Sequence, residues 1–178
     1  PAVPASRAAP LAEPPADRAA RAAVKTARRA AVRRARLAAA PLAMVCDILL
    51  VDADAGARQQ LGALLDGFGF HVRPVATLAQ AAVLAAHHTF AAVVVAVDPE
   101  AIDGAVHDLF EQVRCTAGRA GCAAAVRVLV AAQWRPVDRV RAELAGCEET
   151  LACPVGSRDL ARVLVIHGIA LPHDPRRF

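Results

Sequence analysis

Five short strand-like stretches, two of them apolar at every position, each followed by a stretch of helical period, constrain this chain more than any other feature. The first is Ile48-Leu49-Leu50-Val51, which ends on Asp52, Ala53 and Asp54. The third, Ala92 to Val97, ends at Asp98-Pro99. A run apolar at every position suits a strand buried on both faces, and a helix between successive runs is the crossover that parallel strands need. The pattern therefore predicts an α/β domain, a doubly wound parallel sheet with helices on both faces. Strands are expected at 47–51, 70–75, 91–97, 126–131 and 150–152, and helices at 56–66, 78–87, 103–116, 136–145 and 157–167. Gly67 and Gly69 end the first helix, Gly146 ends the fourth, and Ser157 is expected to cap the last. In such sheets the chemistry collects at the carboxyl edge of the strands.

Charge separates this domain from what precedes it. Of the 21 Lys and Arg, nine lie up to Ala40, against two of the 17 acids; the remainder of the chain is mildly acidic. Residues 1–16 are Pro- and Ala-rich without apolar period and read as disordered. Asp17 then suits an N-cap for an Ala/Arg helix reaching about Ala40, where Pro41 stops it. Arg18, Arg21, Lys25, Arg29, Arg33 and Arg36 fall near one face, and the other face is mostly alanine, which buries little area. The expected organisation is an extension or linker over 1–43, a domain over 44–170 and a tail over 171–178.

Several classes drop out. The longest charge-free run, Pro74 to Val97, is broken by Thr77, Gln80, His87 and His88, so it reads as a helix and a strand, not a membrane span. Pro41 and Asp47 spoil the signal-peptide-like stretch from Arg33 to Val51. The five cysteines are odd in number and lack CxxC spacing, which fits reduced thiols in a cytoplasmic domain better than a disulfide or zinc framework. One tryptophan and no tyrosine leave little for base stacking. Ala53-Asp54-Ala55-Gly56 after the first strand is not a dinucleotide fingerprint, which argues against a nucleotide-binding enzyme of similar architecture.

From Val45 to Gly168 this order and spacing resembles the receiver domain of bacterial two-component response regulators. Asp52 stands where that family has the first acid of its magnesium pair, Ala53 where it has the second, and Asp54 follows. Counting back eight from Asp103-Gly104, as the family's spacing directs, lands on Ala96 at the phosphoacceptor position. Ala131 stands at the Thr/Ser position, Thr150 at the aromatic position, and Cys153, before Pro154, at the lysine position. The resemblance implies a flavodoxin-like sheet of order 2-1-3-4-5 and a cis bond before Pro154.

What it implies about function follows from the substitutions. A methyl group at Ala96 offers no oxygen to phosphorus, and neither Ala131 nor Cys153 replaces the hydroxyl or ammonium that would hold a phosphoryl group. Asp98, two residues further on, lies about 6–7 Å along the strand, too far to serve as the nucleophile. Asp52 and Asp54 are left to offer weak magnesium binding at best, and no other cofactor is expected. The chain reads as a degenerate receiver, or pseudo-receiver. It would act in phosphorelay signalling by phosphorylation-independent protein–protein contact, and not as an enzyme. Its partners would be a histidine kinase, an output domain or a second copy. The interaction surface expected from the resemblance runs through 136–168 and includes Val137, Val140, Leu144, Leu160 and Val163. Nucleic acid or an anionic surface is the alternative partner, reached through residues 18–36.

Overall fold

A computed structural model of the protein describes residues 47–172, together with Ala23, Val24, Thr26, Ala27, Ala30 and Ala31, which are helical and exposed. The basic side chains between Arg18 and Arg36 and the boundary at 43–44 lie outside the described residues, as does most of the tail.

From Asp47 to Ile166 strands and helices alternate, with one 3-10 turn among them. In order come β1 (Asp47–Val51), α1 (Ala55–Gly67), β2 (His71–Val75), α2 (Leu78–His87), β3 (Ala92–Ala96), a 3-10 turn (Pro99–Ala101), α3 (Gly104–Arg119), β4 (Val126–Ala131), α4 (Pro136–Leu144), β5 (Glu149–Ala152) and α5 (Ser157–Ile166). The five strands form one sheet in the order β2-β1-β3-β4-β5, and every pair is parallel. This is the expected doubly wound arrangement, with each element within a few residues of its expected bounds.

Period-two alternation divides the apolar residues between two cores. Leu49, Val51, Val93, Val95 and Leu129 face α2, α3 and α4, where Phe110, Leu109 and Val106 meet them. Ile48, Leu50, Val94, Val128 and Val130 face the other way, onto Leu61 and Leu65 of α1 and Leu160, Val163 and Leu164 of α5. Burial on both faces is why β1 from Ile48 and β3 read as unbroken apolar runs, and β4 as one interrupted only by the buried Arg127. The edge strand β2 is mostly exposed or half-buried. Its Val75 carbonyl turns toward β1 to accept the Asp52 N–H at 3.1 Å, so its neighbour Pro74 turns its proton-less nitrogen outward.

Short polar side chains start three of the helices. Asp54 accepts the Ala57 N–H at 2.6 Å, Thr77 the Gln80 N–H at 3.2 Å and Asp103 the Ala105 N–H at 2.9 Å. The last helix departs from expectation. Gly156 occupies its N-cap position without a side-chain bond, and Ser157 is its first helical residue. Gly69 and Gly146 follow α1 and α4 with φ of 86° and 90°, the left-handed conformation that lets the chain leave a helix sharply.

Candidate functional site: the carboxyl edge of the sheet

Strand register assembles the corner. Val51 pairs with Val95, so Asp52 and Ala96 lead off adjacent strand ends. Ala96 pairs with Val130, and Ala131 with Ala152, which places Ala131 and Cys153 along the same rim. The backbone continues the ladder there, with Val97 N–H donating to the Val130 carbonyl at 2.9 Å and Cys153 N–H to the Ala131 carbonyl at 2.8 Å. Asp52, Ala96, Ala131 and Cys153 thus come together at one edge, while Thr150 lies inside β5, two residues before its end.

What the corner offers chemically is little. Asp52 is buried, and its Oδ1 accepts the Asp54 N–H at 2.9 Å. The Arg58 guanidinium folds back onto the main-chain carbonyls of Asp52 and Ala53, neutralising the turn between β1 and α1. Asp54 is exposed and caps its helix. Asp98 is exposed as well; its Oδ1 caps the 3-10 turn by accepting the Glu100 N–H at 3.0 Å. Ala96 and Ala131 contribute methyl groups. Cys153, joined to Pro154 by a cis peptide bond, is exposed, and burial and then the Asp52 carboxylate push its thiol above the ordinary range. Its thiol–thiolate balance is thereby held toward the neutral form.

This donor set does not fit magnesium. The ion asks for near-octahedral oxygen ligands, commonly one or two carboxylates with water and a phosphoryl oxygen. Here Asp52 and Asp54 each accept a backbone N–H on Oδ1, Asp54 is turned to the helix end, and the flanking positions 53, 96 and 131 are hydrocarbon. Among the described residues no group of three or more His, Cys, Asp or Glu side chains converges as a metal-holding set.

Beside the corner lies a feature that sequence reasoning missed. The sole tryptophan, Trp134, donates its indole N–H to the Leu151 carbonyl of β5 at 2.7 Å and packs on the α2–α3 core. It ties the segment after β4 to the neighbouring strand. The next residues form an ionic cluster. Arg135 Nε donates to Asp138 Oδ2 at 2.8 Å, and its Nη2 donates to Asp138 Oδ1 and to Glu100 Oε1, each at 3.1 Å. Arg141 Nη1 donates to the Pro99 carbonyl at 3.0 Å. The Arg135 side-chain bonds, helped by the Arg135 N–H and the nearby Arg141 charge, hold the Asp138 carboxyl below its ordinary range against the opposing effect of burial. The resulting stability is complete above the ordinary carboxylate range and is lost as pH falls through the depressed native value.

The expected interaction surface divides in two. Leu160 and Val163 are buried, because on α5 the helical period turns 160, 163 and 164 onto the sheet. They are core, not surface. Val137, Val140 and Leu144 are exposed, at 57%, 51% and 78%, and they share one face of α4. Ile166 of α5, within the expected 136–168 stretch, is exposed too, as is Val165, which was not singled out.

A parallel sheet of order 2-1-3-4-5 is the flavodoxin-like arrangement, to which receiver domains belong. Solved structures agree. The chain is similar to the chemotaxis protein CheY4 of Vibrio cholerae, at 20% identity over 69% of this chain and 98% of that one, with a TM-score of 0.55. It is similar to the receiver domain of a sensor histidine kinase of Pseudomonas aeruginosa that has magnesium coordinated in its active-site cleft, at 22% identity over 68% and 97%, TM-score 0.55. It is also similar to an atypical orphan response regulator described as having a phosphorylation-independent regulatory mechanism, at 15% identity over 68% and 94%, TM-score 0.55. No protein-family model matches the sequence, and no curated protein is detectably similar to it. The fold is that of the CheY-like response-regulator receivers. No helix among the described residues is long and apolar enough to cross a membrane.

Proposed function

We propose that this chain is a degenerate receiver domain that serves signal transduction by binding another protein, without passing through a phosphorylated state. The observation that carries the reading is the composition of the corner. The fold places Ala96 at the end of β3 beside Asp52, with Ala131 and Cys153 on the same rim. Phosphoryl transfer needs an in-line oxygen nucleophile and a cation to gather the developing charge. A methyl group supplies no nucleophile, and a thiol held in its neutral form supplies no cation. The domain would therefore act as a docking module, not as a catalyst.

The exposed face of α4 supports a docking role. Three branched apolar side chains at positions 137, 140 and 144 form one patch, and a patch of that kind on a folded domain commonly marks a protein-binding surface. With no acyl phosphate to shift a two-state equilibrium, the domain would present one face constitutively, or a partner would bias it.

The direct test is exposure of the full chain to acetyl phosphate and magnesium, read by intact mass. The expected result is an unchanged mass, with the Ala96→Asp variant run alongside. A phosphoryl adduct on the unmodified chain, at Asp52, Asp98 or elsewhere, refutes the reading.

A further inference from the structure

Docking through α4 makes no use of the charge that precedes the domain. Eight basic residues fall between Arg18 and Arg36, and no acid occurs between Asp17 and Asp47. Seven of the eight are arginine, whose planar guanidinium bonds a phosphate through two parallel N–H groups. Arg18, Arg21, Lys25, Arg29, Arg33 and Arg36 recur every three or four positions, the spacing that lines side chains along one face of a helix. A helix of that length carries such a row over about 27 Å.

The described residues of the same stretch occupy the complementary positions. Ala23, Val24, Thr26, Ala27, Ala30 and Ala31 are helical, and all six are exposed, Val24 at 68%. This alanine side is the one that would have to pack on the domain, and it stands in water. None of these six residues joins either apolar core.

Anionic partners differ in what they ask of such a segment. A lipid surface holds a helix by bulky Leu, Phe or Trp side chains sunk below the headgroups. Alanine with Val24, Val32 and Leu37 offers too little area for that. A protein interface rests on buried aromatic and large apolar anchors, and residues 18–36 contain no aromatic. A nucleic-acid duplex asks only for cations in a row, because its phosphates present one charge per about 1.7 Å of axis. The lack of aromatics also leaves nothing for unpaired bases to stack on, which favours a duplex over a single strand. We propose that residues 18–36 bind the phosphate backbone of a nucleic-acid duplex without reading its sequence. This binding is separate from the docking face of α4 and does not depend on it.

The test is fluorescence anisotropy of a labelled, mixed-sequence DNA duplex of about 30 base pairs, titrated with the full chain at about 50 and about 200 mM salt. With about four to six phosphates neutralised, affinity should fall roughly 100- to 2,000-fold over that range. The quadruple variant Arg21→Gln, Lys25→Gln, Arg29→Gln, Arg33→Gln should bind at least about 100-fold more weakly at the lower salt, with the salt dependence flattened to about tenfold. No binding at the lower salt, a wild-type affinity that moves by less than about tenfold with salt, or a variant that binds as the wild type does overturns the assignment. So does tighter binding to phosphatidylserine vesicles than to the duplex at equal salt, which would assign the segment to a lipid surface.

Discussion

Two leucines of the same size sit at opposite extremes of exposure, and truncating each to alanine separates stability from binding. Leu160 on α5 is fully buried between α1 and the sheet; Leu144 at the end of α4 is 78% exposed. Leu160→Ala removes the transfer free energy of the side chain and leaves a cavity in a close-packed layer, at a cost of about 2–5 kcal/mol. For a domain of this size that corresponds to a fall in Tm of roughly 4–20 °C. Leu144→Ala has almost no burial to lose and should change stability by less than about 0.5 kcal/mol. If a partner covers α4, however, the same truncation forfeits about 1–2 kcal/mol of newly buried area, a loss of roughly 5- to 30-fold in affinity. Urea denaturation followed by circular dichroism measures the first quantity. Titration against the interacting protein, once it is in hand, measures the second. If Leu144→Ala costs as much stability as Leu160→Ala, α4 does not face solvent. If it leaves affinity untouched, the α4 face is not where the partner sits.

Three further outcomes are expected. Burial pushes the Cys147 thiol up to about 12, so at mildly alkaline pH iodoacetamide should spare it while alkylating exposed Cys115 and Cys122; Cys153 should react more slowly than they do, and faster in Asp52→Asn, all readable by peptide mass spectrometry. Trp134→Phe keeps most of the packing but leaves the Leu151 carbonyl without its indole donor, which should cost about 0.5–1.5 kcal/mol in urea denaturation; an unchanged midpoint would show that the bond contributes nothing. Gly146→Ala places a side chain at φ of 90°, where the added carbon would meet only Phe110 Cβ at 4.0 Å, so its penalty is conformational and should come to about 1–2 kcal/mol by the same assay.

Most of the architecture was readable from residue order, for a physical reason. β1, β3 and β4 are largely buried on both faces, so apart from Asp47 and Arg127 their residues are apolar, and the helices between them carry one-sided stripes. The corner was legible through the resemblance, whose spacing back from Asp103-Gly104 lands on Ala96; the apolar run alone would have carried β3 on to Val97, one residue past its end. Sequence was silent where two arrangements share one pattern. Val137, Val140 and Leu144 repeat at the same spacing as a core stripe, and only the burial of Asp138 against two arginines reveals that α4 faces the other way. The companion signal was present but faint: Asp138 and Ala142, four residues apart, share a helical face too polar and too small to anchor it. Trp134 was noticed only as a scarce residue type. Its role depends on a carbonyl seventeen positions away, which no local pattern encodes.

The outward turn of Pro74 makes the two rims of the sheet unequal. A strand seeking to lengthen the sheet beside β2 would meet a gap in the row of amide protons just where the ladder must continue. Lateral growth by strand addition is therefore barred on that flank. It is left to the opposite one, where β5 offers only four residues. Two copies that joined there would exhaust each other's open flank, and the stack would stop at a pair instead of running on into a fibre.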